Sequence, residues 1–345
     1  NLDATRVGPT GLIEKGREQL LVNTVFAGLT ANGKPTNYNN SSTTGTGSLG
    51  PLASDSTKVK FEVTDASGGR FFINQTLNKT GLICTSVFVD EVTGTAPEIR
   101  QIVRSFASND GVTRTIIHAA LKDGEVVSDT DAVVAGHRYA MVCSYDGTSV
   151  HRFGLGTNSS ITAVSSVTLS QPQIEAGIVP TAYIENTSTS VTATAGIKED
   201  EPRFDYPLAG GAPSLLIEPQ RQNKFAHSEY MAGTFGTIRS TFTANAGTSP
   251  EGVQNATAVF ETATGSTHGF QKLDIDIDDG TFYSYSFFVK ANGRSKFLVQ
   301  HPTAATLNTS VTVDLSGTPS VTEGRAGATG SQSIVNYGDG WYRVE

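Results

Sequence analysis

The sequence predicts an antiparallel all-β protein, and three observations carry that prediction. Short runs alternate apolar and polar residues with a period of two. The clearest is Lys58–Thr64 (KVKFEVT), which places Val59, Phe61 and Val63 on one face. Turn dipeptides punctuate the runs: Gly68-Gly69, Asp110-Gly111, Asp123-Gly124 and Asp146-Gly147 early, then Asp279-Gly280, Asn292-Gly293 and Asp339-Gly340. Asp-Gly and Asn-Gly supply the positive φ that tight hairpins need. Composition agrees: charged residues are only 17% of the chain, with two Met and one Trp beside 36 Gly. That profile suits many short strands joined by turns. With no helical runs between the strands, a sandwich is expected rather than an α/β sheet.

Taken in order, residues 1–20 read as a leader, with a brief amphipathic turn around Leu12–Gln19 weakened by Gly16 and a strand-like Leu20–Val22. Residues 21–185 form the first β module. Its strand candidates are Lys58–Thr64, Leu82–Val89, Ile99–Val103, Thr115–His118, Val133-Val134, Arg138–Tyr145 and Ser166–Gln171. Thr30–Gly50 reads as a long polar loop without periodicity, mobile or held by a partner, with Tyr38 as its single aromatic, open to solvent. Residues 186–223 form an extended connector, stiffened by Pro202, Pro207, Pro213 and Pro219. Residues 224–345 form a second β module, with candidates at Val259-Phe260, Leu273–Ile277, Phe282–Val289, Phe297–Val299, Val311–Leu315 and Trp341–Val344.

The two modules align loosely. Phe72–Val89 runs beside Phe270–Val289, and Gly136–Tyr139 beside Gly340–Arg343. About 45 further residues follow this point in the first module, while the second stops at Glu345, so the second is expected to lack its last strands. The start at Asn1, without Met or a signal-peptide pattern, is read as a piece of a longer product.

Charge and motifs narrow the function classes. A net charge of −8 argues against nucleic acid and against an anionic membrane surface. No apolar stretch is long enough for a transmembrane helix. Cys84 and Cys143 each sit in an apolar run and read as buried free thiols rather than a disulfide. Asp274–Gly280 resembles a DxDxDG calcium loop, but its glycine is one residue late and no bidentate Glu follows; an exposed strand entering an Asp-Gly turn accounts for it. The histidines His118, His137, His151, His227, His268 and His301 are dispersed, and neither HExxH nor GxSxG occurs. No catalytic residue, metal ligand or cofactor is therefore expected. The aromatics mostly lie in alternating runs, so Trp341-Tyr342-Arg343 reads as core and hairpin before binding platform. Eight N-x-S/T triplets (at Asn39, Asn40, Asn74, Asn78, Asn158, Asn186, Asn255 and Asn308) are discounted as glycan sites in an Asn/Ser/Thr-rich chain.

A family resemblance rests on particular residues. Gln171–Gly177 (QPQIEAG) followed by Pro180–Glu185 (PTAYIE) resembles the closing strand of carbohydrate-binding-module-like sandwiches in phage fibre and tail proteins. Pro202–Tyr206 (PRFDY) and Pro213–Asn223 (PSLLIEPQRQN) resemble the connector signatures of phage head-spike or tail fibre domains, with Gln222 in place of the usual Thr. Ala4–Val7 with Gly11–Glu18 resembles the leader before the first such module. The resemblance touches nearly the whole chain and is most specific in the connector.

It implies tandem antiparallel jelly-roll-like β-sandwiches joined by the Pro-rich connector. The expected function is a virion structural protein, a fibre or spike subunit on the capsid or tail surface, displaying its modules to host-surface glycans. A homo-oligomer, with a trimer favoured, and other virion proteins bound through residues 1–20 or the missing termini are the expected partners. The resemblance assigns no sugar-contacting position. Two further classes stand beside it: a capsid decoration protein that cements the shell without binding a ligand, and the binding modules of a secreted polysaccharide-degrading enzyme.

Overall fold

The computed structural model describes residues 5–8, 12–31, 33–43, 46–107, 115–196, 202, 204–208, 211–217, 223–225, 228–263, 265–273, 275, 281, 283–302, 308–323 and 331–345. Their regular structure is almost entirely β, arranged in several antiparallel sheets. Among them no helix is long and apolar enough to cross a membrane.

The leader forms three short strands, β1 (Thr5–Val7), β2 (Ile13–Lys15) and β3 (Arg17–Gln19). The amphipathic turn expected over Leu12–Gln19 is thus replaced by extended chain, with Gly16 dividing β2 from β3. Leu20 and Leu21 are buried in the core but belong to no strand.

Eleven strands follow: β4 (Asn39–Thr43), β5 (Gly47–Leu52), β6 (Asp55–Val63), β7 (Arg70–Asn78), β8 (Gly81–Gly94), β9 (Val103–Ala107), β10 (Thr115–Lys122), β11 (Glu125–Val127), β12 (His137–Tyr145), β13 (Thr148–Leu155) and β14 (Ser165–Ala176). They make a seven-stranded sheet, in the order β11-β10-β12-β8-β14-β6-β5, and a four-stranded sheet, β4-β7-β13-β9. One apolar core joins them. Val59, Phe61, Val87, Tyr139 and Met141 from the larger sheet meet Ile73, Phe153 and Leu155 from the smaller, all essentially without exposure. Strand alternation builds it, as Val59, Phe61 and Val63 show by pointing inward together.

Several local expectations are corrected. Ile99–Val103 is a helical turn, α1 (Ile99–Ile102), followed by β9. Glu98 and Gln101 close a reciprocal cap, and Ile99 and Ile102, three apart, share the buried face. Val133 is buried, yet Val133-Val134 forms no strand. The polar stretch Thr30–Gly50 contains β4 and the start of β5, and Tyr38 is buried against Phe26 at a ring separation of 5.8 Å. Asp123-Gly124 is a tight hairpin turn with φ of 51° and 92° joining β10 to β11. Asp146-Gly147 instead carries the chain from β12 in one sheet to β13 in the other. Asp110-Gly111 and Asp279-Gly280 lie outside the described residues.

Cys84 and Cys143 are buried free thiols on neighbouring strands. Cys84 pairs with Val142, one position out of step with Cys143, so the two side chains face opposite sides of the sheet. Cys143 joins the inter-sheet core, where burial pushes its pKa up to about 11. Cys84 joins a second apolar cluster on the outer face, with Leu121, Ala140, Val142, Ile178 and Val179. Tyr230 and Val253, far along the chain, pack against that outer cluster.

The connector contributes β15 (Ala193–Ala195), paired with β3, and a small hairpin of β16 (Phe204–Asp205) and β17 (Ser214–Leu215). The remainder holds one helical turn, α2 (Met231–Thr234), and strands β18 (Gly236–Ile238), β19 (Ser240–Gly247), β20 (Ala256–Glu261), β21 (Gly269–Gln271), β22 (Phe287–Lys290), β23 (Lys296–Pro302), β24 (Asn308–Asp314), β25 (Ser320–Glu323), β26 (Ile334–Gly338) and β27 (Trp341–Val344). They pair as β18-β21, β19-β20, β22-β27-β26 and β23-β24-β25. The expected strand at Phe282–Val289 begins only at Phe287, and Leu273–Ile277 lies mostly outside the described residues.

Candidate functional site

The residues that resemble fibre-protein signatures form a buried polar lock. Gln173 and Glu175 alternate along β14 and point to the same side. Gln173 Oε1 accepts from Ile184 N at 2.8 Å, and its Nε2 donates to Glu175 Oε1 at 2.6 Å. Thr181 donates to Glu175 from its backbone N at 2.8 Å and from its Oγ1 at 2.6 Å. Gln19, at the end of β3, completes the arrangement. Its Nε2 donates to Pro172 O and Ile184 O, and its Oε1 accepts from Leu21 N and Ile174 N. Gln19, Gln173 and Glu175 are all buried. Their polar groups are spent inside the fold, which is how buried polar side chains are tolerated. The lock therefore ties the end of the leader to the closing strand and to the chain at Thr181 and Ile184.

Arg138 and Asn186 extend it. The Arg138 guanidinium donates to Ser86 Oγ, Gln171 O and Gln171 Oε1, and lies over the Tyr183 ring at 5.9 Å. Burial lowers its pKa. Asn186 Nδ2 donates to Leu21 O and Val191 O, both at 2.9 Å. Asn186 and Asn255 are both buried, which removes them as glycan acceptors in the folded chain.

Leader and connector also meet directly. Val7 N donates to Asp205 Oδ1 at 2.8 Å and Tyr206 N to Val7 O at 3.2 Å. The described connector is therefore packed against the leader. Lys15 bridges Glu229 at 3.0 Å and Glu251 at 3.2 Å. Burial alone would lower the Lys15 pKa, but the two carboxylates outweigh it and raise it. Burial raises that of Glu251. On the connector hairpin Phe204, Leu215 and Ile217 remain exposed.

The structure does not gather the histidines. His151 is enclosed by Thr85, Ser105 and Ser149, and burial drives its pKa down to about 3. A Ser–His contact of this kind is the geometry of an activated nucleophile, but at zero exposure no substrate reaches it. His118 bonds Tyr230 and Ser144, and His137 bonds Asp123. His227, the side chain of His301 and all of Asp274–Gly280 except Ile275 lie outside the described residues. Trp341, half-buried, donates from Nε1 to Thr248 O at 3.0 Å.

An open groove of about 570 Å³ lies beside β20 and β23, where Glu261, Thr262, Ser266, His268, Arg294 and Lys296 gather. Arg294 bonds Glu261 at 2.7 Å. The groove offers both hydrogen-bond donors and acceptors and suits a hydroxyl-rich ligand. Sequence reasoning missed it because residues some 30 apart come together here from two separate small sheets, which no local pattern marks. No protein-family model matches the chain, and neither does any curated protein sequence.

Proposed function

We propose that this chain is a virion structural protein, a bacteriophage fibre or spike subunit. Tandem jelly-roll-like β-sandwich modules would be displayed toward host-surface glycans, in a homo-oligomer for which a trimer is favoured. The observation that carries the reading is the use made of the resembling residues. Gln173 and Glu175 of the closing strand bond Ile184 and Thr181, Asp205 of the connector bonds Val7 of the leader, and Gln19, next to the leader signature, bonds the closing strand at Ile174. A leader and connector held to the closing strand suit a fibre built in series, where weak sites act together through avidity.

Strand pairing supports the tandem arrangement. In the first half β12 lies between β8 and β10; in the second, β27 lies between β22 and β26. Val89 pairs with His137 and Val289 with Tyr342, so the two loosely aligned segments pair antiparallel in the same way but one residue out of step.

A glycan array probed with the whole chain, together with binding to host cells, tests adsorption. Saturable binding to envelope polysaccharide is expected; none to glycans or cells overturns the adsorptive role. The exposed Phe204, Leu215 and Ile217 favour a second reading, a decoration protein cementing the shell through its connector. That reading expects shells to lose stability when the chain is removed.

A further inference from the structure

Apart from the open groove, a smaller cavity lies where the later part of the chain covers the outer face of the seven-stranded sheet. It measures about 130 Å³, room for roughly four waters at ~30 Å³ each. Ala119, Val126, Val142 and Ile178 give it apolar walls, Tyr230 closes one side, and Asn245 on β19 lines it. No Lys, Arg, Asp or Glu is among its lining residues.

Asn245 is only 5% exposed. Its Nδ2 donates to Ile178 O at 3.1 Å, whereas its Oδ1 has no donor among the described residues. A buried acceptor without a partner is costly, and an occupant bearing a donor relieves that cost. Asn245 also has a φ of 52°, within the irregular stretch of β19–β20 pairing between Thr243 and Gly247. Bulges re-aim side chains, and asparagine accepts the left-handed backbone this one requires.

We propose that this cavity is a subsite for the acetamido group of an N-acetylated sugar. The methyl rests on the Val126 and Ile178 wall, and the amide N–H donates to Asn245 Oδ1. The inference rests on the glycan-display reading and adds a substrate class to it. A charged substituent would lose its hydration here beside a single imidazole, that of His118, whose two ring nitrogens already bond Tyr230 and Ser144. A plain hydroxyl would satisfy Asn245 but leave the apolar wall uncovered.

The test is saturation-transfer NMR on the full chain, using methyl N-acetyl-β-D-glucosaminide and methyl β-D-glucoside as probes. Saturable binding of the first, with the acetyl methyl most strongly contacted, and none of the second is expected. Asn245→Gly removes the acceptor while tolerating positive φ, and Ala119→Leu fills the cavity while leaving Asn245 in place. Each is expected to weaken binding about tenfold or more with the unfolding midpoint confirming the fold. Equal response to both sugars, or unchanged binding in Ala119→Leu, overturns the subsite. Binding of a polysaccharide without N-acetyl groups, with the N-acetyl probe ignored, overturns the subsite and leaves adsorption standing. No binding of any glycan overturns both.

Discussion

His151 lies within hydrogen-bond reach of Thr85 (2.7 Å), Ser105 (2.9 Å) and Ser149 (2.8 Å), with the Tyr145 ring 5.6 Å away and no acidic partner among these contacts. Its folded pKa near 3 stands below the ordinary 6.5. Between those values the unfolded chain binds a proton that the folded chain refuses, so His151 favours folding above pH 6.5 and loses that contribution progressively as pH falls toward 3. The slope is at most ~1.4 kcal/mol per pH unit. Urea midpoints should fall from pH 7 to pH 5, a range above most carboxylate titrations, and fall less in His151→Gln. Glu175 gives a second expectation. Glu175→Ala strands Gln173 and Thr181 and should cost about 2–4 kcal/mol, whereas Glu175→Gln, which keeps an acceptor and a donor in place, should cost less than half of that; chemical denaturation separates them. At this scale the sequence was legible for residues whose neighbours alternate with them, such as Val59 and Phe61. Tyr38 was not, because its burial comes from Phe26 and a fold-back of polar chain that carries no periodic pattern. Asn245 was not either, since a bulge has no signature in composition.

β6 could be read directly because it alternates with period two over one core face, and β8 and β12 because their apolar runs, buried on both faces, are bounded by Gly or Asp. Ile99–Val103 was misread because five residues with apolar ends fit a short strand as well as one helical turn. The Glu98–Gln101 cap decides between them and becomes visible only with the side chains in place. Asp146-Gly147 shows the same limit for turns: the dipeptide marks a reversal but not whether the next strand joins the same sheet. The crossing it makes brings β13 beside β7, where Gly154 has a φ of 141°. A Cβ there would stand 2.5 Å from Phe71 O and 2.7 Å from Phe72 Cα, both backbone atoms unable to yield. Gly154→Ala should therefore destabilise the smaller sheet on the order of 3 kcal/mol, read as a lowered unfolding midpoint. Gly136→Ala, where a Cβ meets nothing within 4 Å, should be milder, since only its positive φ of 86° opposes it.

Across the molecule, the parts are joined by contacts the sequence does not announce. The second apolar cluster sets Ile178, Val179, Tyr230 and Val253 against the outer face of β8, β10 and β12. Lys15 links the leader to Glu229 and Glu251 over more than 200 residues of chain. Residues this far apart meet only because the closing strand and connector return beside the leader, and a local pattern cannot encode that return. The signature residues did point to the place where it happens, Gln171–Glu185, but as a resemblance rather than as chemistry. Their buried hydrogen bonds supply the physical reason for them: they hold the closing strand to Gln19, Thr181 and Ile184. The proposal that this chain belongs to a virion is tested most directly by its copy number and position in purified particles. Quantitative mass spectrometry with antibody labelling in electron micrographs should find it in every particle, in multiples of three, at projecting fibres or spikes. Its absence from washed particles would contradict the account.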